Sequence, residues 1–599
     1  MTPTPARAPV RVALRRLRGY ALRNRGYYAV WIATTLAYVA GFVAVPMLVG
    51  WSVKAVVDGL GAQEIVRRVL WLALVTLARA MVRYFSRTLV FNAAREIEYE
   101  LRNDIFSHLE RLPQSFYFRW RTGDIMSRCV NDIGAVRLLL GVGLLNLVQT
   151  PILYVAVIGA MLATNAKLAL LVLIPYPAFI WIARWFGRSI HHWSLATQEG
   201  LADLSSQLQE TISGIAVVKA YAMENVTQAR FEKSNQELYL RQLGLVKANA
   251  AMPAIVTLLP AAAMWIILLV GGHEIAAGQM AIPEFFTFAM YVYELTFPTF
   301  LMGFVVAVVQ RGAASMQRID ELLSERPAIA DRADAVAISE LRGEIEFRRL
   351  TFRYPGSDRA PALREVALHV PAGSTLGVVG AVGSGKSTLA CAIPRLFEVD
   401  DGQLFVDGID INRIPLHTLR GGIAMVPQDS FLFSMTLAEN IGFGLEAASR
   451  EQIAEAARRA QLGKDVPDLP DGWETVVGER GVMLSGGQRQ RTALARALLL
   501  RPKILILDDT LSSVDAETEA AIQRELEAVF SGRTVVVVSH RVSSVRKADQ
   551  IVVLEAGRIV ERGTHDQLVA QGGLYARLAQ EQALEDDLAE EPVPAEVRA

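Results

Sequence analysis

Residues 484–515 read LSGGQRQRTALARALLLRPKILILDDTLSSVD, and this stretch decides the fold of the C-terminal part of the chain. Its apolar run Ile504–Leu507 predicts a short buried strand, and two adjacent carboxylates, Asp508 and Asp509, follow that run. The carboxyl end of such a strand is where α/β proteins bring Mg²⁺ and water to a triphosphate. The stretch therefore predicts an α/β domain that holds a nucleotide.

A second anion site lies in the same stretch. Ser485, Gly486 and Gly487 open a helical run, so their hydroxyl and backbone N–H groups lie at the positive end of a helix. A site of this kind binds phosphate without a lysine.

A glycine-rich segment further upstream matches the pattern GxxxxGK[ST] between an apolar strand and a helical run. In this pattern backbone N–H groups wrap the phosphates, Lys386 reaches the β- and γ-phosphate oxygens, and Ser387 binds Mg²⁺ together with Asp508. The predicted nucleotide-binding residues of the segment are Gly380, Gly383, Ser384, Gly385, Lys386, Ser387 and Thr388.

Length and composition indicate a multidomain membrane protein. The chain has 599 residues, so two or more domains are expected. It is 52% hydrophobic and only 20% charged, with a mean hydropathy of +0.28, which indicates that part of it lies in lipid. The net charge of zero argues against a nucleic-acid-binding protein. Cys129 and Cys391 lack metal-ligand spacing and are interpreted as small apolar side chains.

The N-terminal residues 1–26 are rich in arginine, with Leu14, Leu17 and Leu22 between the charges. They lack the compact apolar core and small-residue cleavage site of a secretory signal. They predict an uncleaved helix on the cytosolic membrane surface, and a disordered basic tail is the alternative.

Six apolar segments are long enough, or nearly so, to cross a bilayer. They are Tyr27–Val53, Val69–Phe91, Leu138–Leu162, Leu168–Phe186, Ala248–Gly271 and Ile282–Val309. Two long polar connections, 92–137 and 187–247, predict cytosolic extensions of the membrane helices. A glycine interrupts each connection, at 119–128 and 213–221, which favours either a short transverse helix against a cytosolic domain or an ordinary helical turn.

Beyond the sixth apolar segment, strands and helices alternate, which predicts a largely parallel sheet. The predicted strands are Glu344–Phe347, Thr375–Val379, Gly422–Val426, Ile504–Leu507 and Thr534–Ser539. The predicted boundaries are 1–26 for the surface helix, 27–325 for the transmembrane domain, 326–343 for a linker, 344–582 for the nucleotide domain and 583–599 for an acidic tail.

Together these residues resemble the ATP-binding cassette (ABC) family, and the six apolar segments make the chain similar to a half-size ABC exporter. The most specific motif is LSGGQ at Leu484–Gln488, the family signature. Other family motifs follow the expected order: Tyr354 as the adenine-stacking A-loop residue, Gln428 in the Q-loop, Thr475–Gly481 as the X-loop, Ser512–Asp515 as the D-loop, and His540 as the switch histidine. The resemblance implies a six-span α-helical transmembrane domain fused to an α/β P-loop cassette, with 119–128 and 213–221 as coupling helices.

The resemblance also implies roles for single residues. Asp509, His540 and Gln428 would be catalytic, and Ser387, Gln428 and Asp508 would bind Mg²⁺. Two cassettes of this family pack head to tail, so Ser485, Gly486, Gly487 and Gln488 would bind the ATP of the other subunit, and Asp515 would complete the site. Binding of two ATP molecules closes the cassettes and hydrolysis lets them part, which drives alternating access in a membrane that we expect to be a bacterial inner membrane.

One residue departs from the family pattern. Active members carry a glutamate after the Mg²⁺-binding aspartate, and Asp509 occupies that position here. Its carboxylate is set back by about 1.5 Å, and a misplacement of about 1 Å reduces a rate by about 10²-fold. We therefore expect a heterodimer with one slow and one competent ATP site. A homodimer that tolerates aspartate, and an ATP-gated membrane regulator that does not pump, are the alternatives.

Arginines inside the second apolar segment give the only clue to a substrate. Arg79, Arg83 and Arg87 recur every four residues and form one cationic stripe, which Arg184 and Arg188 would extend. Charges at that depth are costly and normally face protein or a water-filled cavity. The stripe predicts a cavity for amphipathic or anionic substrates, with Glu294 as counter-ion. Snorkelling to lipid headgroups and ion pairing between subunits are the alternatives.

Overall fold

The computed structural model describes residues 10–354, 360–478, 481, 483–510 and 516–590. Contacts divide the chain into two compact units. The first comprises Met1–Leu109 and Gly123–Glu325, and the second comprises Glu110–Thr122 and Arg326–Ala599. The predicted transmembrane domain, 27–325, contained Glu110–Thr122. This segment belongs to the second unit because its side chains pack there; for example, the Phe118 ring lies 6.3 Å from the Phe397 ring.

The chain from Val10 to Ser324 is almost entirely helical. Its helices are α1 (Val10–Arg23), α2 (Arg25–Val57), α3 (Ala62–Arg111), α4 (Gln114–Arg119), α5 (Thr122–Ser127), α6 (Ile133–Leu138), α7 (Leu144–Thr164), α8 (Ala166–Leu173), α9 (Pro175–Ser213), α10 (Ile215–Ala220), α11 (Glu224–Ile266), α12 (Gly272–Ala276) and α13 (Ile282–Ser324). Short π-helical turns at Arg128–Asp132, Leu139–Gly143 and Ile267–Gly271 join consecutive α segments. The short helix α10 begins directly after Gly214, and α4 lies just before the first glycine interruption, whereas α5 is the first segment of the longer helix Thr122–Thr164. The transverse orientation of the two predicted coupling segments stays a prediction.

The apolar segments form long helices. Within the described residues, three are long and apolar enough to cross a membrane, namely Arg25–Val57, Thr122–Thr164 and Ile282–Ser324. Two shorter apolar helices, Ala166–Phe179 and Pro260–Ala276, correspond to the fourth and fifth predicted spans. The second predicted span, Val69–Phe91, lies within the 50-residue helix α3. Its three arginines lower the hydropathy of that stretch, although its helical structure is continuous.

The core of the first unit lies between α2, α7, α8, α11 and α13. Its buried side chains include Phe42, Leu153, Val157, Phe288 and Tyr291. These helices bury one apolar stripe and leave other large apolar residues exposed, as is expected where lipid rather than water surrounds the surface.

The N-terminal helix α1 is held against the first unit by polar contacts. Arg16 forms an ion pair of 2.8 Å with Asp320, whose side chain is fully buried. The Tyr20 hydroxyl donates a hydrogen bond of 2.5 Å to Asp104. The described part of the basic N-terminus is therefore an ordered helix and not a disordered tail.

The second unit contains two sheets. The strands are β1 (Ile345–Phe352), β2 (Leu363–Val370), β3 (Thr375–Val379), β4 (Leu404–Val406), β5 (Ile409–Asp410), β6 (Ile423–Val426), β7 (Ile504–Asp508), β8 (Thr534–Val538), β9 (Gln550–Glu555) and β10 (Arg558–Gly563). The helices are α14 (Lys386–Ala392), α15 (Leu416–Gly421), α16 (Leu437–Gly442), α17 (Arg450–Arg459), α18 (Gly486–Leu499), α19 (Ala516–Phe530), α20 (His565–Gln571) and α21 (Leu574–Glu590). The larger sheet has the order β10-β9-β3-β8-β7-β6, and the smaller one the order β2-β1-β4-β5.

The predicted α/β class and largely parallel sheet are confirmed. Strands β9, β3, β8, β7 and β6 run parallel, and only the edge strand β10 is antiparallel. The four parallel strands that the sequence predicted, β3, β8, β7 and β6, are buried apolar runs that lie side by side in this sheet, with β6 at its edge. Their carboxyl ends therefore meet at one edge of the sheet.

Glycine 312 shows how tightly the first unit packs. A Cβ at Gly312 would lie 2.5 Å from the Leu139 Cβ, whereas a Cβ at Gly303 on the same helix α13 would meet nothing within 4 Å. We predict that Gly312→Ala destabilises the detergent-solubilised protein by about 1–3 kcal/mol through overpacking. The apparent melting temperature from tryptophan fluorescence measures this effect. Gly303→Ala is the matched control, and equal melting temperatures for the two variants would contradict the packing.

Candidate functional site

The glycine-rich segment forms a tight loop between β3 and α14. Gly380 has φ +152° and Gly385 has φ +104°, a range that side chains rarely adopt. A Cβ at Gly380 would lie 2.2 Å from the Leu554 carbonyl oxygen, and one at Gly385 would lie 2.6 Å from the Ala362 carbonyl oxygen. Glycine is therefore required at both positions, because the backbone of Leu554 in β9 and of Ala362, just before β2, approaches the loop closely.

Lys386 is buried inside this loop. Its ammonium group donates hydrogen bonds of 2.7 Å to the Gly380 carbonyl oxygen and 2.9 Å to that of Ala381. Burial lowers the pKa of Lys386, and the nearby carboxylates of Asp509 and Asp508 oppose that shift. The neighbouring Ser384 hydroxyl is buried and has no hydrogen-bond partner in the described structure. A cationic loop with an unsatisfied hydroxyl fits the phosphate oxygens of a nucleotide.

Ser387 and Asp508 meet at the start of α14 and the end of β7. The Ser387 hydroxyl donates a hydrogen bond of 3.1 Å to the Asp508 carboxylate. Asp508 is only 3% exposed. Burial raises the pKa of Asp508, and the Ser387 hydrogen bond opposes that rise. Two of the three predicted Mg²⁺ ligands, Ser387 and Asp508, are therefore neighbours, and both supply the oxygen atoms that Mg²⁺ prefers.

Asp509 lies on the adjacent turn and contacts the Q-loop. Its carboxylate accepts a hydrogen bond of 3.3 Å from the Gln428 side-chain amide. Its backbone N–H donates to the Val538 carbonyl oxygen at 2.8 Å, and its φ of +49° lies in the left-handed region. Aspartate adopts this region more readily than most residues with a side chain.

His540 completes the arrangement from the end of β8. Its Nδ1 atom lies 3.4 Å from the Lys386 ammonium nitrogen. The parallel sheet thus brings Lys386, Gln428, Asp508, Asp509 and His540 together from the ends of four adjacent strands, as the sequence predicted.

The A-loop residue Tyr354 stands on a cluster of aromatic rings. Its hydroxyl hydrogen-bonds with the Thr388 hydroxyl at 2.9 Å. Its ring makes edge contacts with Phe352 at 5.1 Å, Phe397 at 5.3 Å and Phe118 at 6.5 Å. Tyr354 was predicted from the sequence, but its aromatic neighbours were not. The one signal for any of them was the spacing of Phe352, the last residue of β1, two positions before Tyr354.

The signature residues form a separate group. Ser485 caps α18: its hydroxyl accepts a hydrogen bond of 3.2 Å from the Gln488 N–H, and the Gln488 side chain accepts one of 3.0 Å from the Ser485 N–H. The first turns of α18 thus satisfy the capping groups among themselves. The D-loop, including Asp515, lies outside the described residues, as do residues 479 and 480 of the X-loop.

A cavity of about 460 Å³ with both polar and apolar lining lies in the first unit, and the predicted arginine stripe lines it. Arg79 forms an ion pair of 2.9 Å with Glu294 and lies 5.1 Å from the centre of the Phe42 ring. Arg83 lies 5.9 Å above the Tyr38 ring, and Arg87 also lines the cavity. The side chain of Arg184 lies outside the described residues, and Arg188 is exposed on α9.

Comparisons with known proteins agree with this architecture. Residues 30–299 match the family model of the ABC transporter transmembrane region, and residues 363–512 match the family model described as ABC transporter. An ATP-dependent lipid A-core flippase of Syntrophus aciditrophicus (strain SB) is 34% identical over 564 residues, which cover 94% of this chain and 93% of the relative. The multidrug resistance-like ATP-binding protein MdlA of Escherichia coli (strain K12) is 35% identical over 549 residues, which cover 90% of this chain and 92% of the relative.

A solved structure has the same fold along nearly the whole length. A bacterial Atm1-family ABC exporter with ATP bound superposes with a TM-score of 0.75 at 27% identity, covering 93% of this chain and 98% of that one. With membrane helices in one unit, and a P-loop, two carboxylates and a signature helix in an α/β unit, the chain belongs to the ABC transporter family, as an exporter with an ATP-hydrolysing cassette.

Proposed function

We propose that the chain is one subunit of a heterodimeric exporter in a bacterial inner membrane, and that its own ATP site hydrolyses slowly. The observation that carries this proposal is Asp509. It occupies the position of the residue that orients the attacking water, and it contacts Gln428 with a carboxylate one methylene shorter than glutamate.

The short carboxylate of Asp509 should slow ATP hydrolysis without weakening ATP binding. Phosphate binding rests on the P-loop and Lys386, which are complete, so ATP should bind firmly. The water-orienting carboxylate is set back by about 1.5 Å, and an error of about 1 Å in such a group costs about 10²-fold in rate. The left-handed backbone at Asp509 also suits aspartate better than the longer glutamate.

Mg²⁺ would be held by the Ser387 hydroxyl and the Asp508 carboxylate, next to Gln428. The ion supplies positive charge to the β- and γ-phosphate oxygens when it is bound. Within the described residues no three acidic, histidine or cysteine side chains cluster as a metal site. A nucleotide-bound Mg²⁺ needs only one or two protein ligands, so the Ser387–Asp508 pair is sufficient.

Two surfaces of the chain support a second subunit as partner: the signature residues and the tip formed by α10. The signature residues Ser485–Gln488 cap their own helix and would bind the ATP of a second cassette. Helix α10 contains no buried residue, and Val217 and Tyr221 at this tip are 61% and 76% exposed. An apolar tip of this kind at the end of two long helices favours docking to a second subunit.

Replacing Asp509 by glutamate tests the slow site. We predict that Asp509→Glu raises the ATPase rate of the purified full-length chain, in complex with its partner, by roughly 10- to 100-fold at this site, because the carboxylate then reaches the attacking water. Asp509→Asn is the control, since it keeps the size of aspartate without a base. Single-turnover hydrolysis of γ-labelled ATP reports the chemical step directly.

Two results would overturn this proposal. A rapid rate from the wild-type chain alone, unchanged by Asp509→Glu, would indicate a homodimer that tolerates aspartate. ATP binding to reconstituted complexes without vectorial, vanadate-sensitive transport would indicate an ATP-gated regulator.

For the substrate we propose an amphiphile with an anionic group. Glu294 neutralises Arg79, and the described residues offer no acidic partner to Arg83 or Arg87. The same cavity is lined by the polar side chains of Gln149 and Thr150 and by apolar ones such as Phe297. Two uncompensated cations beside an apolar wall favour a negative headgroup attached to an apolar body. Relatives named as a lipid A-core flippase and a multidrug resistance-like protein are consistent with an amphipathic substrate.

Neutralising the unpaired arginines tests this substrate class. We predict that Arg83→Gln and Arg87→Gln each weaken stimulation of the ATPase by anionic amphiphiles by roughly 10-fold, because each removes a charge-assisted contact. Stimulation by zwitterionic and cationic amphiphiles should change little. Arg67→Gln is the matched control on the same helix α3, since Arg67 pairs with Glu64 at the exposed end. Unchanged stimulation by every compound in both variants would exclude a substrate role for the stripe.

A further inference from the structure

The C-terminal helix α21 contacts the catalytic edge of the sheet through one side chain, Gln582. Its amide nitrogen donates a hydrogen bond of 2.6 Å to the His540 carbonyl oxygen. Its amide oxygen accepts one of 2.6 Å from the Val542 N–H. One primary amide thus bridges the backbone on both sides of residue 541, directly after the switch histidine.

Hydrogen bonds and burial at the start of helix α21 hold this helix in place. The Glu561 carboxylate accepts hydrogen bonds from the N–H groups of Leu574 and Tyr575 at the start of the helix, the second at 3.0 Å. Tyr575 is fully buried, and its hydroxyl hydrogen-bonds with the His565 ring at 2.9 Å. Gln582 follows Tyr575 by two helical turns and so lies on the same, inward face of the helix.

Other polar contacts also stabilise the turn that follows His540. The Arg541 guanidinium forms an ion pair of 2.7 Å with Glu519, a buried residue of α19. The Arg541 N–H donates to the Ser539 hydroxyl at 2.9 Å. These contacts hold residue 541, whereas Gln582 holds the carbonyl group of His540 itself.

The imidazole of His540 lies next to Lys386, which would bind the γ-phosphate. Its Nδ1 atom is 3.4 Å from the ammonium group of Lys386, the side chain that reaches the β- and γ-phosphates in P-loop proteins. A small displacement of the His540 backbone moves this ring relative to Lys386. ADP has no γ-phosphate and would be insensitive to such a movement.

We propose that Gln582 is a positioning residue of the nucleotide site: it fixes the backbone at His540 and thereby makes the cassette's discrimination between ATP and ADP depend on the C-terminal helix. The amide is the group this task requires, because it donates to one backbone group and accepts from another at once. A carboxylate can accept from Val542 but repels the His540 carbonyl oxygen. An alanine makes neither contact.

Affinities for MgATP and MgADP test this role on the purified full-length chain in detergent, by isothermal titration calorimetry. We expect Gln582→Ala and Gln582→Glu to weaken MgATP binding by roughly 3- to 10-fold, the range for loss of one or two hydrogen bonds, and to leave MgADP binding unchanged. Gln580→Ala is the matched control, since Gln580 is an exposed glutamine on the same helix. The melting temperature with MgADP bound should be equal in all these proteins.

A double variant separates positioning from simple stabilisation. If Gln582 acts through His540, then Gln582→Ala adds no further loss of MgATP affinity in a His540→Ala background. Equal losses for MgATP and MgADP would overturn the proposal, as would an additive loss in the double variant or the same effect from Gln580→Ala. Because Gln582→Glu preserves the size of the side chain, it provides the test if Gln582→Ala lowers the yield of folded protein.

Discussion

Burial of the Lys386 ammonium group among backbone carbonyl oxygens is the constraint on which the nucleotide site depends. A buried charge costs several kcal/mol unless oppositely charged or polar groups surround it. Here the carbonyl groups of Gly380 and Ala381 accept from it, and the carboxylates of Asp508 and Asp509 lie close enough to favour its charged form. The loop can fold back on its own lysine because glycine occupies its left-handed positions. The triphosphate would add negative charge next to the ammonium group. It would also offer a hydrogen-bond acceptor to the Ser384 hydroxyl, which is buried without a hydrogen-bond partner in the described structure.

The sheet order turns that local constraint into a complete site. Strands β3, β8, β7 and β6 are neighbours, so the residues that follow them reach the same point although they are up to 160 positions apart in sequence. Support then comes from outside the sheet. The aromatic cluster backs Tyr354, and α21 backs His540 through Gln582. The nucleotide site thus lies at one edge of the sheet. The positions of its residues depend on how elements distant in sequence pack against that edge.

Much of this could be predicted from the sequence, and the reasons are physical. The buried strands β3, β6, β7 and β8 are mainly apolar runs. Gln428, Asp509 and His540 each follow one of these strands within two positions, Asp508 ends β7, and Lys386 and Ser387 lie in a glycine pattern. Strands β2 and β10 alternate apolar and polar residues at the margins of the sheets, and β4 and β5 contain only three and two residues, so their patterns are weak. The Gln582 contact had no signal, because nothing in a polar helical stretch reveals which of several glutamines faces inward. The arginine stripe was visible from its spacing, but the pairing of Arg79 with Glu294 depends on how α3 and α13 are rotated against each other.

Asp509 connects the backbone geometry of the nucleotide site to the proposed rate of hydrolysis. Its short carboxylate, left-handed backbone and contact with Gln428 are compatible with a site that binds ATP as firmly as its P-loop allows while leaving the attacking water poorly oriented. In the proposed slow site, ATP would hold the two cassettes together for long periods before it is hydrolysed. The signature on the same chain carries no corresponding defect, so the chain would contribute fully to hydrolysis at the opposite site. The proposed heterodimer would keep one interface closed while the other opens and closes. Its membrane helices would then pivot about one side, and only the other half of the cassette dimer would need to separate during each cycle.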